Sequence, residues 1–303
     1  MRLLGLLMCA WVSVMNLAFA KAVILPVRFA QDVSVALVTL DINGTPTQFM
    51  LDSGSQIPLH LPMSMLQNLP QVAREADDYL STDIAGNIIK TAKFEIKHLN
   101  INGMDFDHIQ AVELQKWGFG FSSDPSEKLP PEPEENLPVI GLTLFANHVL
   151  TLDFAHQHIR VDDIDEDAQN DDKWVALPYL YDPQEGLIVE LADQNKTYRL
   201  VIDTGATMSM VAGKSLPEHL KQGVDLSLDK QNEAAVRLNK NGKPETINIY
   251  LDNPAVKKLS IRAVIIDNMP KEFNADGLLG MDFLKKYMLR IDQKNQKLWI
   301  KAA

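Results

Sequence analysis

Two short segments carry the residues best suited to chemistry. Asp52-Ser53-Gly54-Ser55 and Asp203-Thr204-Gly205-Ala206 each place a carboxylate ahead of a hydroxyl residue and a glycine. Two carboxylates held about 3 Å apart cannot both ionise, so they share a proton. The ionised member can then take a proton from water while the protonated one polarises a carbonyl. A single triplet says little. Composition puts one in about one chain in ten of this length, and Asx-type turns use the same residues structurally.

Duplication gives the pair its weight. Residues 33–55 read VSVALVTLDINGTPTQFMLDSGS, and residues 186–206 read GLIVELADQNKTYRLVIDTGA. In both, an apolar alternating run meets a polar turn, then a second β-rich run delivers the Asp. Asn43-Gly44 is a strong hairpin signal and Asn195-Lys196 a weaker one. A second repeat follows: residues 138–161, PVIGLTLFANHVLTLDFAHQHIRV, match residues 277–300, GLLGMDFLKKYMLRIDQKNQKLWI. Gly141 precedes Asp153 by the same interval as Gly280 precedes Asp292. The interval between these glycines is shorter than that between Asp52 and Asp203, which implies an insertion in the first copy. Residues 122–138, rich in Pro and acids, are its natural place.

The elements that must position the two carboxylates are therefore strands. IIKTAKFEIKHLNING, ETINIYLDN and KKLSIRAVIIDN add further β-rich runs. Helices are few: Met63–Leu69, short turns after Gly141 and Gly280, and a candidate over Ala212–Leu220. The reading is an all-β protein of two homologous lobes with a cleft between them. It divides as residues 1–20, a lobe over 21–161, an acidic linker over 162–173 and a lobe over 174–303.

This combination resembles the aspartic protease superfamily. Each half is similar to a retropepsin-type protomer and the tandem to the bilobal pepsin plan, most strongly at LDSGS, IDTGA, PVIGLTLF and GLLGMDFL. The resemblance implies a catalytic dyad of Asp52 and Asp203. It implies that Ser53 and Thr204 bond across to the opposite loop. It gives Gly54, Ser55, Gly205 and Ala206 supporting roles in those loops, and places Gly141 and Gly280 behind them. It also implies a β-hairpin flap over the cleft, with a tip near Asp83–Asn87, including Ala85 and Gly86. Tyr79 is the nearest flap tyrosine, and Asn239–Lys243 is the corresponding turn in lobe two. An ordinary surface hairpin explains each of these turns equally well. The expected activity is that of an exported aspartic endopeptidase that binds an extended peptide. The alternative is a peptide-binding protein that kept the fold and lost turnover.

Other patterns take plainer readings. Residues 1–20, MRLLGLLMCAWVSVMNLAFA, show a short positive end, an apolar stretch and Ala18-Phe19-Ala20. This is the pattern of a secretory signal peptide cleaved after Ala20, with an uncleaved anchor as the alternative. Cys9, the chain's single Cys, lies inside it. A mature chain from Lys21 thus lacks the means for thiol catalysis or Cys-ligated zinc. It also has no second apolar run of membrane length, and export points to the periplasm or the medium. A net charge of −11 argues against general binding to nucleic acid. Asp163, Asp165 and Asp167 start like a calcium loop, but Ala168 and Trp174 stand where Gly and Glu belong. His156 and His158 fall on one face of an expected strand without a third ligand, so no metal and no cofactor are expected. Two lobes in one chain supply both carboxylates, so a monomer is expected. Asn43 and Asn195 start glycosylation sequons, which hairpin turn chemistry already explains.

Overall fold

Asn43 and Gly44 both take positive φ, 50° and 85°. Such a pair forms a two-residue turn whose twist matches the strands it joins. The turn pairs Ala36–Ile42 with Thr45–Asp52, from Ile42 opposite Thr45 to Leu37 opposite Met50. Ala36, Val38, Leu40 and Ile42 are buried in alternation, as expected of a strand with one covered face. The partner strand ends differently: Phe49, Met50 and Leu51 are all buried. The chain is thus entering the interior, covered on both faces, when it reaches Asp52.

In this computed structural model the described residues are 22–29, 35–82, 88–115, 137–163, 173–192, 196–216, 236–237, 239–241, 243–253, 256–267, 269 and 273–303. The signal-like segment, most of the Pro-rich insertion, the flap tip with Ala85 and Gly86, most of the acidic linker, Asn195 and Gly242 lie outside them.

The second half repeats the first. Gly186–Ala192 pairs antiparallel with Thr197–Ile202, which ends in buried Leu200, Val201 and Ile202 before Asp203. In lobe one, Thr45–Asp52 lies parallel to Val139–Gly141, which lies antiparallel to Leu59–Leu61, which lies parallel to Met104–Glu113. In lobe two, Thr197–Ile202, Gly277–Leu279, Met210–Ala212 and Val256–Ile266 follow the same order and directions. Each Asp loop therefore emerges beside a short parallel strand. Apolar side chains from both halves join in one core, in which Phe49, Tyr198, Leu51 and Ile202 are almost completely buried. Each such side chain contributes about 1.5–3 kcal/mol relative to exposure.

Beneath the lobes, Val149–Asp153 pairs antiparallel with Tyr287–Asp292, with Thr151 opposite Arg290. His158–Asp162 and Val23–Phe29 extend this sheet on one side, and Lys297–Ala302 and Val175–Ala176 on the other. Val23–Phe29 then passes without a break into lobe one, where Val27 faces Val38. The corresponding path in lobe two is split into Val175–Ala176 and Tyr179–Asp182, with Pro178 between them. Proline cannot donate a ladder hydrogen bond.

Among the described residues helices are as sparse as the sequence suggests. Met63–Asn68 is α-helical, Leu142–Phe145 is a 3-10 turn and Met281–Leu284 is a single α-turn. The expected helix over Ala212–Leu220 is not found over its described part. Ala212 instead closes the strand Met210–Ala212, and Gly213–Ser215 forms one 3-10 turn. Parallel pairing with Val264–Ile266 outweighs the weak helical pattern there. A second correction concerns His156 and His158. They do not share a strand face: the turn before His158–Asp162 holds His156 and Gln157, and Gln157 has φ 57°. The Asp153 carboxylate organises that turn by accepting from the His156 N–H at 3.0 Å.

Candidate active site

The two Asp loops meet between the lobes and are tied together by reciprocal hydrogen bonds. Ser53 N–H donates to Thr204 Oγ1 at 2.9 Å, and Thr204 N–H donates to Ser53 Oγ at 2.8 Å. The Ser53 hydroxyl in turn donates to Ile202 O at 2.7 Å, and that of Thr204 to Leu51 O at 2.9 Å. Both side chains are buried. Each hydroxyl thus satisfies one donor and one acceptor of the opposite lobe, which fixes the loops relative to each other.

Within each loop the backbone points at the carboxylate. Gly54 N–H donates to Asp52 Oδ1 at 2.9 Å, and Gly205 N–H donates to Asp203 Oδ1 at 2.9 Å. Ala206 N–H adds a bond to Asp203 Oδ1 at 3.1 Å. The glycines are required by proximity. A Cβ on Gly205 would lie 3.0 Å from Asp52 Oδ1, and one on Gly54 would lie 3.3 Å from Asp203 Cγ. Each glycine therefore lets its loop press against the other lobe's carboxylate. Behind the loops, a Cβ on Gly141 would meet Ile57 O at 2.4 Å, and one on Gly280 would meet Met208 C at 2.5 Å.

Asp52 and Asp203 stand beside each other: a Cβ on Gly205, two residues after Asp203, would lie 3.0 Å from Asp52 Cγ. Burial pushes both carboxyls above the usual carboxylate range, against the lowering effect of the backbone N–H donors. Asp203 is raised to about 7, first by burial and then by the neighbouring charge of Asp52. A proton shared between two such carboxyls belongs to the pair and not to either residue.

The strand that carries Tyr79 and a lobe-two hairpin that carries Tyr181 stand near each other. Tyr79 lies on Val72–Thr82, opposite Thr91 on Ile88–Ile101. Burial and the nearby phenol of Tyr181 push the Tyr79 hydroxyl above its usual range. Tyr181 donates to Gln56 Oε1 at 2.7 Å, and Gln56 Nε2 donates to Gly54 O at 3.1 Å. Gly186, with φ 85°, passes so close to Gln56 that a Cβ would come within 2.4 Å of Nε2. Lobe two thereby touches the Asp52 loop through a second route. In lobe two, the turn at Asn239–Lys243 closes by a bond from Asn239 N–H to Lys243 O at 2.8 Å.

Two family models match the chain in tandem. One, an aspartyl protease model, covers residues 38–137, and the other, of gag-polyprotein aspartyl proteases, covers residues 189–286. A solved aspartic proteinase from Irpex lacteus has the same fold, with a TM-score of 0.55, 12% identity, and coverage of 93% of this chain and 98% of that one. The chain belongs to the aspartic protease superfamily. Its bilobal fold is shared with conglutin gamma, a basic 7S globulin of lupine seeds, at TM-score 0.52 and 11% identity over 94% of this chain and 96% of the globulin. Soybean basic 7S globulin is similar at TM-score 0.51 and 12% identity, over 94% and 95% of the two chains. No curated protein sequence matches the chain.

Sequence reasoning places Asp52, Ser53, Gly54, Ser55, Asp203, Thr204, Gly205 and Ala206 together, and the structure brings them together. It missed Gln56, His60, Tyr181 and Gly186. Ser55 Oγ lies 2.7 Å from His60 Nε2, at the centre of the strand Leu59–Leu61. One signal was available for His60: a polar residue between two leucines, just after the loop. Nothing in the sequence pairs Gln56 with Tyr181, which lie 125 positions apart. Among the described residues, no group of His, Cys, Asp or Glu is arranged to hold a metal, and no helix is long and apolar enough to cross a membrane.

Proposed function

We propose that this aspartic protease-like chain is an exported endopeptidase that hydrolyses peptide bonds with Asp52 and Asp203. The observation that carries this reading is the carboxyl pair, one member from each lobe, brought together by the reciprocal Ser53–Thr204 hydrogen bonds and the close-packed Gly54 and Gly205. A water between the two carboxyls loses a proton to Asp52 while its oxygen attacks the scissile carbonyl carbon. Asp203 donates its proton to the carbonyl oxygen, which gives a tetrahedral diol. Collapse of the diol returns a proton to the dyad and passes another to the departing nitrogen, so the shared-proton state is restored. The peptide lies extended along the flap strand, held largely by backbone hydrogen bonds.

The test is cleavage of an unbiased peptide library between about pH 3 and 8, a span around the shared-proton regime. The mature chain cleaves, and Asp52→Asn and Asp203→Asn do not. Cleavage that survives either change removes the assignment. A second reading, peptide binding without turnover, is favoured by the seed globulins that share this fold. It requires peptide binding with no cleavage at any pH. The pattern of residues 1–20 supports export, which amino-terminal sequencing of the mature product tests at Lys21. Both carboxyls lie in one chain, which supports a monomer, tested by equilibrium sedimentation.

A further inference from the structure

The two loops differ at two positions beneath the dyad. In lobe two, Ala206 carries no hydroxyl, and the adjoining strand Met210–Ala212 is apolar and buried. In lobe one, the same place holds Ser55 and His60. Ser55 Oγ accepts from Ile57 N–H at 3.2 Å, lies 3.1 Å from Ile57 O and 2.7 Å from His60 Nε2. A hydroxyl has one proton, so it serves either the carbonyl or the imidazole. The Ser55 N–H donates to Asp52 O at 3.3 Å, within the turn whose Gly54 N–H holds the Asp52 carboxylate. The imidazole is thus one residue removed from the reacting pair.

Its surroundings are apolar. His60 stands opposite Val139 on one neighbouring strand and Val112 on the other. Met50 lies beyond Val139 in register. The charged groups on these elements are few. Lys93 lies opposite Val112 and is paired with Glu75 at 2.8 Å. Glu113 is opposite Leu61, one position along, and Asp52 ends the strand that carries Met50. Burial alone lowers the imidazole to about 4, so it is neutral above that pH.

We propose that His60 is a positioning residue for the Asp52 loop: neutral, it accepts the Ser55 hydroxyl; protonated, it reverses that bond, so its titration adds to that of the carboxyl pair at the acid limit of turnover. In the neutral state, Ser55 O–H donates to Nε2 and the loop is held by His60. In the protonated state, Nε2–H donates to Ser55 Oγ, and the hydroxyl proton turns to Ile57 O. A positive charge then lies under the Asp52 loop, with no counterpart in lobe two. The inference rests on the endopeptidase reading for its kinetic consequence but not for the hydrogen bond itself.

The experiment is the pH profile of kcat and KM for the mature chain and for His60→Gln, His60→Leu and Ser55→Ala. His60→Leu leaves Ser55 unheld, and kcat falls about tenfold with a smaller change in KM. His60→Gln restores an acceptor through its amide oxygen and recovers most of that loss. Because the amide does not titrate, the acid limb of kcat becomes shallower, falling with the single protonation of the carboxyl pair. In the Ser55→Ala background the Gln substitution no longer changes the limb. An unchanged acid limb in His60→Gln, in protein that retains the wild-type unfolding midpoint, overturns the proposal. If the wild-type chain cleaves nothing, the endopeptidase reading fails while the hydrogen bond is still tested by nitrogen-15 NMR of the imidazole. At pH 6, Nε2 then shows the signal of an unprotonated acceptor that changes in Ser55→Ala. A protonated Nε2 at that pH refutes the proposal independently.

Discussion

Ser53 and Thr204 hold each other's backbone: each N–H donates to the other's hydroxyl, at 2.9 and 2.8 Å. Both hydroxyls also donate onward to a carbonyl of the opposite lobe. The seam that aligns the two carboxyls is therefore four buried hydrogen bonds made by two small side chains.

Ser53→Ala and Thr204→Val remove one hydroxyl each and strand an N–H and a carbonyl in a buried place. An unsatisfied buried group costs about 1–3 kcal/mol. Each variant is expected to lose about 2–4 kcal/mol in urea unfolding and to lose kcat disproportionately. Thr204→Ser keeps the hydroxyl and is expected to behave much more like the wild type.

Asp203→Asn is expected to abolish cleavage and yet stabilise the fold at neutral pH. The Asp203 carboxyl titrates near 3.8 when unperturbed and at about 7 in the folded chain. Between those values the folded state holds a proton that the unfolded state has released. Stability contributed by this group is therefore full below about 3.8 and declines as pH rises towards 7. The amide variant escapes that decline. Its unfolding midpoint should exceed the wild-type value at pH 8, and the advantage should vanish at pH 3. The reverse ordering would show that the site does not penalise ionisation.

The kinetic counterpart is loss of kcat/KM as pH rises through about 7, where Asp203 gives up the shared proton. A profile still rising at pH 9 would contradict a proton shared by the two carboxyls.

Gly141→Ala and Gly280→Ala are expected to cost several times more than Gly44→Ala. The first two place a methyl group 2.4 and 2.5 Å from backbone atoms of the Asp-loop segments, whereas nothing lies within 4 Å at Gly44. Gly44→Ala strains only a positive φ, at about 1 kcal/mol. Thermal unfolding of the three variants checks the ranking, and activity should fall only in the first two.

Much of the site was legible because it is local. The Asn-Gly turn fixes the hairpin register, and the hydrophobic run before each Asp shows that the strand is entering the interior. The duplication then says that two such loops exist to meet each other. What was not legible depends on long-range pairing. The contact of Tyr181 with Gln56 joins residues with no shared pattern, and His60 looks like an interruption of an apolar strand until Ser55 is seen beside it. The histidine turn was misplaced because alternation alone cannot see that Asp153 caps the chain reversal. The described start of the Ala212–Leu220 segment is not α-helical because three residues of parallel pairing decide it.

The sheet beneath the lobes has a property of its own. Thr151 and Arg290 face each other, and each stands at the same place in its repeat, after Gly141 and Gly280 respectively. The pairing is therefore self-complementary: each half offers the other the edge that it would offer to a copy of itself. Nothing in this register depends on the covalent connection between the halves. A nick in the acidic connector should leave the two fragments associated, and two separate copies of a single half could close the same seam.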